Sequence, residues 1–126
     1  MKPHEFTMPE VGCTPRELHE AIAVCSMQLA RVTTLVAEYK NKLAAAEAKY
    51  KKEFAIALIL NRGAGNQTIV KALAETTDEV IAANNTVIET EAIYTLLRAE
   101  YEAWETYFVA LRKLAELLKS EVQRFE

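Results

Sequence analysis

The sequence predicts an all-α fold, an antiparallel two-helix hairpin of coiled-coil character that assembles into a four-helix or larger bundle. Three observations predict it. Helix breakers are confined to two places: Pro3, Pro9 and Pro15 all precede Arg16, and the glycines are Gly12, Gly63 and Gly65. Apolar residues recur at alternating steps of four and three through both long segments between those breaks. The apolar stripe of the second segment is also wider than one partner helix can cover.

Residues 1–13 read as an extended tail. A helix start follows at Thr14-Pro15-Arg16-Glu17, where Thr14 can accept from orphan amides, Pro15 sits where a missing N–H is harmless and Glu17 completes a capping box. The first helix is expected over about 15–61, roughly 70 Å at 1.5 Å per residue. Its walk visits Leu18, Ile22, Cys25, Leu29, Val32, Val36, Tyr39, Leu43, Ala46, Tyr50, Glu53, Ala57 and Leu60, of which only Glu53 is not apolar. Residues 62–66 form the turn, with Gly63 in the left-handed conformation that ends a helix and Asn66 capping the next one. Thr76 and Glu79 repeat the capping-box spacing, so a short helix over about 67–75 precedes a second long helix over about 77–123. The walk there runs from Ile69 through Leu73, Thr76, Val80, Ala83, Val87, Thr90, Tyr94, Leu97, Tyr101, Trp104, Phe108, Leu111, Ala115, Leu118 and Val122 to Phe125. A 3.5-residue period held this long specifies a left-handed seam, and so short a connection can only fold the helices back antiparallel. Residues 14–126 are therefore expected to form a single hairpin domain.

A second apolar row flanks that seam at Ala103, Tyr107, Ala110, Leu114 and Leu117, with Ile81, Ile88, Ile93 and Leu96 upstream. Exposing large apolar side chains forfeits about 1.5–3 kcal/mol each, so the row is expected to meet its own copy across a two-fold axis. The candidate oligomer or partner interface is therefore Trp104, Tyr107, Ala110, Leu114 and Leu117, in a dimer or tetramer. The aromatic group Tyr94, Tyr101, Trp104, Tyr107 and Phe108 is expected to lie in the core of such a bundle.

The charges exclude a strong pull toward polyanions: 15 Lys plus Arg against 18 Asp plus Glu leave a net charge of −3. Residues 1–62 carry nine basic and seven acidic residues, giving +2, whereas residues 63–126 carry six and eleven, giving −5. The basic stretch Lys40, Lys42, Lys49, Lys51 and Lys52 is expected beside Asp78, Glu79 and Glu89 across the hairpin. Lys49, Lys51 and Lys52, interleaved with Tyr50, are the candidate nucleic-acid contact.

No arrangement of chemistry-bearing residues points to an enzyme, a metal or a cofactor. His4 and His19 have neither Cys-x-x-Cys nor His-x-x-x-His company, and the second long helix contains no His for a di-iron bundle. Cys25 falls in the seam and reads as a small buried hydrophobe. Ser26 and Ser120 lack a plausible base, and Gly63-Ala64-Gly65 lacks the spacing and the preceding strand of a phosphate loop. Two cysteines are too few for a secreted disulfide framework, the N-terminus has no signal-like core, and no stretch approaches the roughly 18 apolar residues of a membrane span. A cytoplasmic location with free thiols is expected.

From Glu89 onward the runs Glu89-Thr90-Glu91-Ala92-Ile93-Tyr94, Glu100-Tyr101-Glu102-Ala103, Tyr107-Phe108, Leu111-Arg112-Lys113-Leu114 and Leu118-Lys119-Ser120-Glu121 resemble the C-terminal half of small, mostly uncharacterised helical proteins of phage and prophage early regions. These tend to be encoded near recombination or single-strand-binding genes. The resemblance covers about the last forty residues and carries no catalytic residues. It implies a non-enzymatic interaction or accessory protein acting on an unknown protein partner in DNA replication or recombination. The alternatives from the residues are a nucleic-acid-binding protein using the Lys49–Lys52 patch and a purely structural oligomeric scaffold.

Overall fold

The structure, a computed structural model, describes residues 1–125 and the side chains of residues 1–122. The side chain of Phe125, the last position of the second apolar walk, lies outside the described residues. The chain is 84% helical, and the described residues contain no strand. A short 3-10 turn, Pro3–Glu5, precedes α1 (Pro15–Leu60), α2 (Gln67–Glu75) and α3 (Asp78–Phe125).

The helix ends follow local chemistry. Thr14 Oγ1 accepts from the Glu17 amide at 3.2 Å, and Pro15 is the first helical residue. After Leu60 the chain turns through Gly63 at φ 100°, a value open to glycine and strained for any residue with a Cβ. Asn66 then caps α2 by accepting from the Ile69 amide at 3.0 Å. The junction between α2 and α3 departs from the expected capping box. The Thr76 hydroxyl donates backward to the Leu73 carbonyl at 3.0 Å, and Thr77 does the same at 3.1 Å. Threonine hydroxyls that find a carbonyl in the preceding turn are unavailable as caps for the following one. The Ile81 amide instead bonds the Thr77 carbonyl, and α3 starts at Asp78.

The chain divides into two compact units, Met1–Val36 with Leu96–Glu126, and Ala37–Thr95. In the first, Leu18, Cys25 and Val32 of α1 form a buried cluster with Trp104, Leu111 and Leu114 of α3. Cys25 Sγ donates to the Trp104 carbonyl at 3.3 Å, and Arg31 pairs with Glu100, so α1 positions rise as their α3 partners fall. The residues before Thr14 take part in this core: Phe6, Met8 and Cys13 pack against the same cluster.

The second unit is built on smaller side chains. Its cluster is Ala57, Ala74 and Val80, flanked by Tyr50, Phe54 and Leu58, with Ala46 and Ala83 also buried. Methyl groups let helices approach closely but remove little apolar area from water, at roughly 25 cal/mol per Å². This unit also leaves Ile56, Ile59, Leu60, Ile69, Leu73, Ile81, Ile88 and Ile93 exposed.

The seam positions are placed as the periodicity requires. From Leu18 to Ala57 and from Val80 to Leu118, every position of the two walks is buried or half-buried. The exceptions, Leu60, Ile69, Leu73, Thr76 and Val122, lie at or near the ends of the helices, where neighbouring turns run out. The helix α1 also corrects one expectation. An 18-residue window within it averages a hydropathy of 1.3, so it is long and apolar enough to cross a membrane by length and composition. Counting unbroken apolar residues misses such a window, because every 18-residue stretch of α1 includes at least one charged residue.

The two kinds of apolar position should differ sharply in energy. Leu111 is fully buried, so Leu111→Ala is expected to cost about 2–5 kcal/mol in urea unfolding. Leu117, 57% exposed, should tolerate Ala within about 0.5 kcal/mol. Equal losses at both positions would show that this placement of the core is wrong.

Candidate interaction surface

Of the five residues expected at an oligomer or partner interface, the structure withdraws most from solvent within one chain. Trp104 is 0% exposed and Leu114 8%, Tyr107 and Ala110 are half-buried, and only Leu117 stands fully exposed. Trp104 and Leu114 are buried together with Leu18, Cys25 and Val32 of α1, and Phe6, Met8 and Cys13 of the chain's own N-terminal segment pack against the same cluster. Phe6 meets the Trp104 ring edge-on with centroids 5.5 Å apart and lies 5.1 Å from the Tyr107 ring. Trp104 and Tyr107 are themselves edge-to-face at 5.8 Å. The other aromatic residues of that group, Tyr94, Tyr101 and Phe108, are half-buried, in keeping with a core role.

Sequence reasoning missed this docking because it treated residues 1–13 as a tail. The signal was present: Phe6, Met8 and Cys13 supply apolar side chains, and the neighbouring row on α3 had no cover assigned to it. An aromatic pair contributes about 0.5–1.5 kcal/mol beyond the area it buries. Against this, Trp104 Nε1 is buried and finds no hydrogen-bond partner among the described residues, which costs on the order of 1–3 kcal/mol.

A polar node lies at the edge of this packing. Arg31 donates to Gln28 Oε1 at 2.9 Å, pairs with Glu100 and reaches the Met1 carbonyl at 3.4 Å. Gln28 is 8% exposed, so its amide oxygen depends on that guanidinium. Arg31 is itself exposed, which places the pair among those worth little alone; the node's effect is to set register.

Lys49, Lys51 and Lys52 are all exposed on α1, and none of them forms an ion pair among the described residues. The flanking pairs expected with Asp78, Glu79 and Glu89 are not formed. Lys49 and Lys52 share a helix face, whereas Lys51 lies about 100° from Lys52, so the three do not make one stripe. Farther along, Lys42 bonds Glu38 at 3.0 Å and sits 4.6 Å above the Tyr39 ring, and both contacts favour its charged form.

Chemistry-bearing groups remain scattered. The described residues contain no group of three or more His, Cys, Asp or Glu side chains able to hold a metal ion. A depression of about 620 Å³ is lined by Arg98, Tyr101, Glu102, Glu105, Thr106, Val109, Ala110 and Lys113, all from α3. Cys13 and Cys25 are free thiols, and burial pushes the Cys25 thiol above the usual range. Compared with protein-family models, with curated proteins and with solved structures, the chain matches none.

The two thiols should separate in reactivity. With an aromatic disulfide reagent at neutral pH, Cys13 is expected to react in the folded protein and Cys25 only on unfolding, since a buried thiol offers little thiolate. The raised Cys25 value also makes its contribution to stability complete below the ordinary thiol range and lost as pH rises above it. Equal labelling rates at both sulfurs would contradict the buried placement of Cys25.

Proposed function

We propose that this protein is a non-enzymatic interaction protein: its two long helices pair as an antiparallel hairpin, and hairpins associate with one another through the exposed apolar face of the Ala37–Thr95 unit. The observation that carries this reading is the pairing of an alanine-built core with a row of exposed isoleucines in that unit. Ile81 and Ile88, seven residues apart, share a face of α3 distinct from that of the buried Ala83 and half-buried Val87. Ile56 and Ile59 lie similarly on α1, apart from the buried Ala57. A second copy covers such rows most simply, because a self-complementary surface closes as a two-fold dimer. The hairpin is supported by the opposed numbering of the contacts from Cys25 to Trp104 and from Arg31 to Glu100.

The self-association surface is thereby placed on the isoleucine row and not on the Tyr107 row, where Phe6 of the same chain already packs against Trp104 and Tyr107. The resemblance of residues 89–121 to phage early-region proteins supports a cytoplasmic accessory role toward a replication or recombination partner, with the assembled bundle as the partner-binding form.

Light scattering tests the reading. The wild-type chain should exceed its monomer mass of 14.2 kDa at micromolar concentration, and Ile88→Glu should return it to that mass with its helical circular dichroism intact. A monomeric wild-type chain would refute the assembly. A gel shift with single-stranded DNA that weakened steeply between two salt concentrations, and that was lost in a Lys49, Lys51 and Lys52 triple alanine variant, would favour the nucleic-acid alternative.

A further inference from the structure

The face of the Ala37–Thr95 unit that carries Ile81 and Ile88 is built from residues that directly follow seam positions. On α3 these are Ile81, Asn84, Ile88 and Glu91, after Val80, Ala83, Val87 and Thr90. On α1 they are Lys40, Ala44, Glu47 and Lys51, after Tyr39, Leu43, Ala46 and Tyr50. All of these followers are exposed, whereas every seam residue they follow is buried or half-buried. In an antiparallel pair, equal rotations away from the seam fall on one side, so the two strips lie side by side. A depression of about 220 Å³ opens between them near the junction of α2 and α3, lined by Tyr50, Glu75, Val80, Ile81 and Asn84.

The two strips have opposite chemistry. The α3 side presents its isoleucines between two carboxylates, Glu75 at the depression and Glu91 three residues past Ile88. The α1 side presents two lysines, Lys40 and Lys51, with the small Ala44 between them. None of these four charged groups forms an ion pair among the described residues. Their heights along the hairpin also correspond. Tyr50 packs against the cluster that holds Val80 and lines the same depression, which sets α1 and α3 level at that point. At 1.5 Å per residue, Lys51 lies within about 2 Å of that level. Toward the other end of the unit, Ala44 lies about 9 Å and Ile88 about 12 Å from it, and Lys40 about 15 Å and Glu91 about 17 Å.

We propose that a second copy docks on this face with its α1 lying along α3 of the first, so that its Lys51 enters the depression beside Glu75, its Ala44 seats Ile88 and its Lys40 meets Glu91. The inference rests on the reading of the protein as a self-associating antiparallel hairpin, and it names how the copies are arranged. A two-fold axis parallel to the helices makes this pairing twice, because it keeps every level while exchanging the two helices. Stacking like helices on each other would instead set lysine against lysine and carboxylate against carboxylate. The aliphatic stem of Lys51 covers Ile81 while its ammonium reaches the Glu75 carboxylate. Alanine opposite isoleucine is the alternation of small and large that lets facing helices interdigitate.

Charges at the edge of an interface act mainly on partner choice and orientation, so their reversal probes the arrangement directly. Lys40→Glu combined with Lys51→Glu, and separately Glu75→Lys combined with Glu91→Lys, should each weaken the dimer by about tenfold or more in sedimentation equilibrium. Helical circular dichroism should hold in both, because all four positions are exposed. An equimolar mixture of the two variants should regain the wild-type dissociation constant within about threefold, since both contacts of the mixed dimer again join opposite charges. Variants that weaken the dimer and stay apart on mixing would overturn the arrangement, because the charges would then act within one chain. Unchanged dissociation constants in both variants, beside an Ile88→Glu chain that is monomeric, would overturn it and leave the isoleucine contact standing. A monomeric wild-type chain would refute both. A lysine variant that lost binding to single-stranded DNA while keeping its dimer mass would assign the strip to a polyanion and also overturn the pairing.

Discussion

The complete burial of Trp104 is the constraint on which the Met1–Val36 and Leu96–Glu126 unit depends. An indole can be removed from water only if several elements converge on it. Here Cys25 of α1 bonds its backbone carbonyl, Phe6 of the N-terminal segment meets its ring, and Tyr107 lies one turn along its own helix. Each of these neighbours is small or aromatic for a physical reason. A longer side chain at position 25 would hold α1 off the indole, and an aliphatic residue at position 6 would lose the edge-to-face contact. The largest fully buried side chains of the described chain, Trp104, Leu111, Val32 and Cys25, all lie in this unit.

The Ala37–Thr95 unit solves the same problem differently and less completely. Ala46, Ala57, Ala74 and Ala83 carry its interior, so the helices can approach closely while burying little apolar area. Its isoleucines consequently face outward. The largest buried side chains thus lie in one unit and the exposed isoleucines in the other, although Met27, Leu96, Val109, Leu117 and Val122 of the first unit are exposed as well.

Much of the helical organisation was legible in the sequence because the relevant signals are local or strictly periodic. Thr14, Pro15, Gly63 and Asn66 mark helix ends through chemistry that acts within four residues, and the seam from Val80 to Leu118 follows from a single repeat. Thr76 was misjudged because a threonine hydroxyl can accept from an amide of the following turn or donate to a carbonyl of the preceding one, and here it donates to Leu73. The cover over Tyr107 was not legible for a different reason. Phe6 is about a hundred residues from its aromatic partners, and no periodicity links a short Pro-bounded segment to a helix face. The sequence therefore left the Tyr107 row without an assigned neighbour in the chain, and the structure places Phe6 beside Tyr107 and Trp104.

The most direct measurement is a set of nuclear Overhauser contacts from the Trp104 indole, whose ring is unique in the chain. Cross-peaks to the Phe6 ring and to the Cys25 β-protons, persisting at concentrations where the chain is monomeric, are the predicted result. An indole that showed contacts only within α3, or contacts to Phe6 that vanished on dilution, would contradict the account, because the core of this unit would then be formed between copies instead of within one chain.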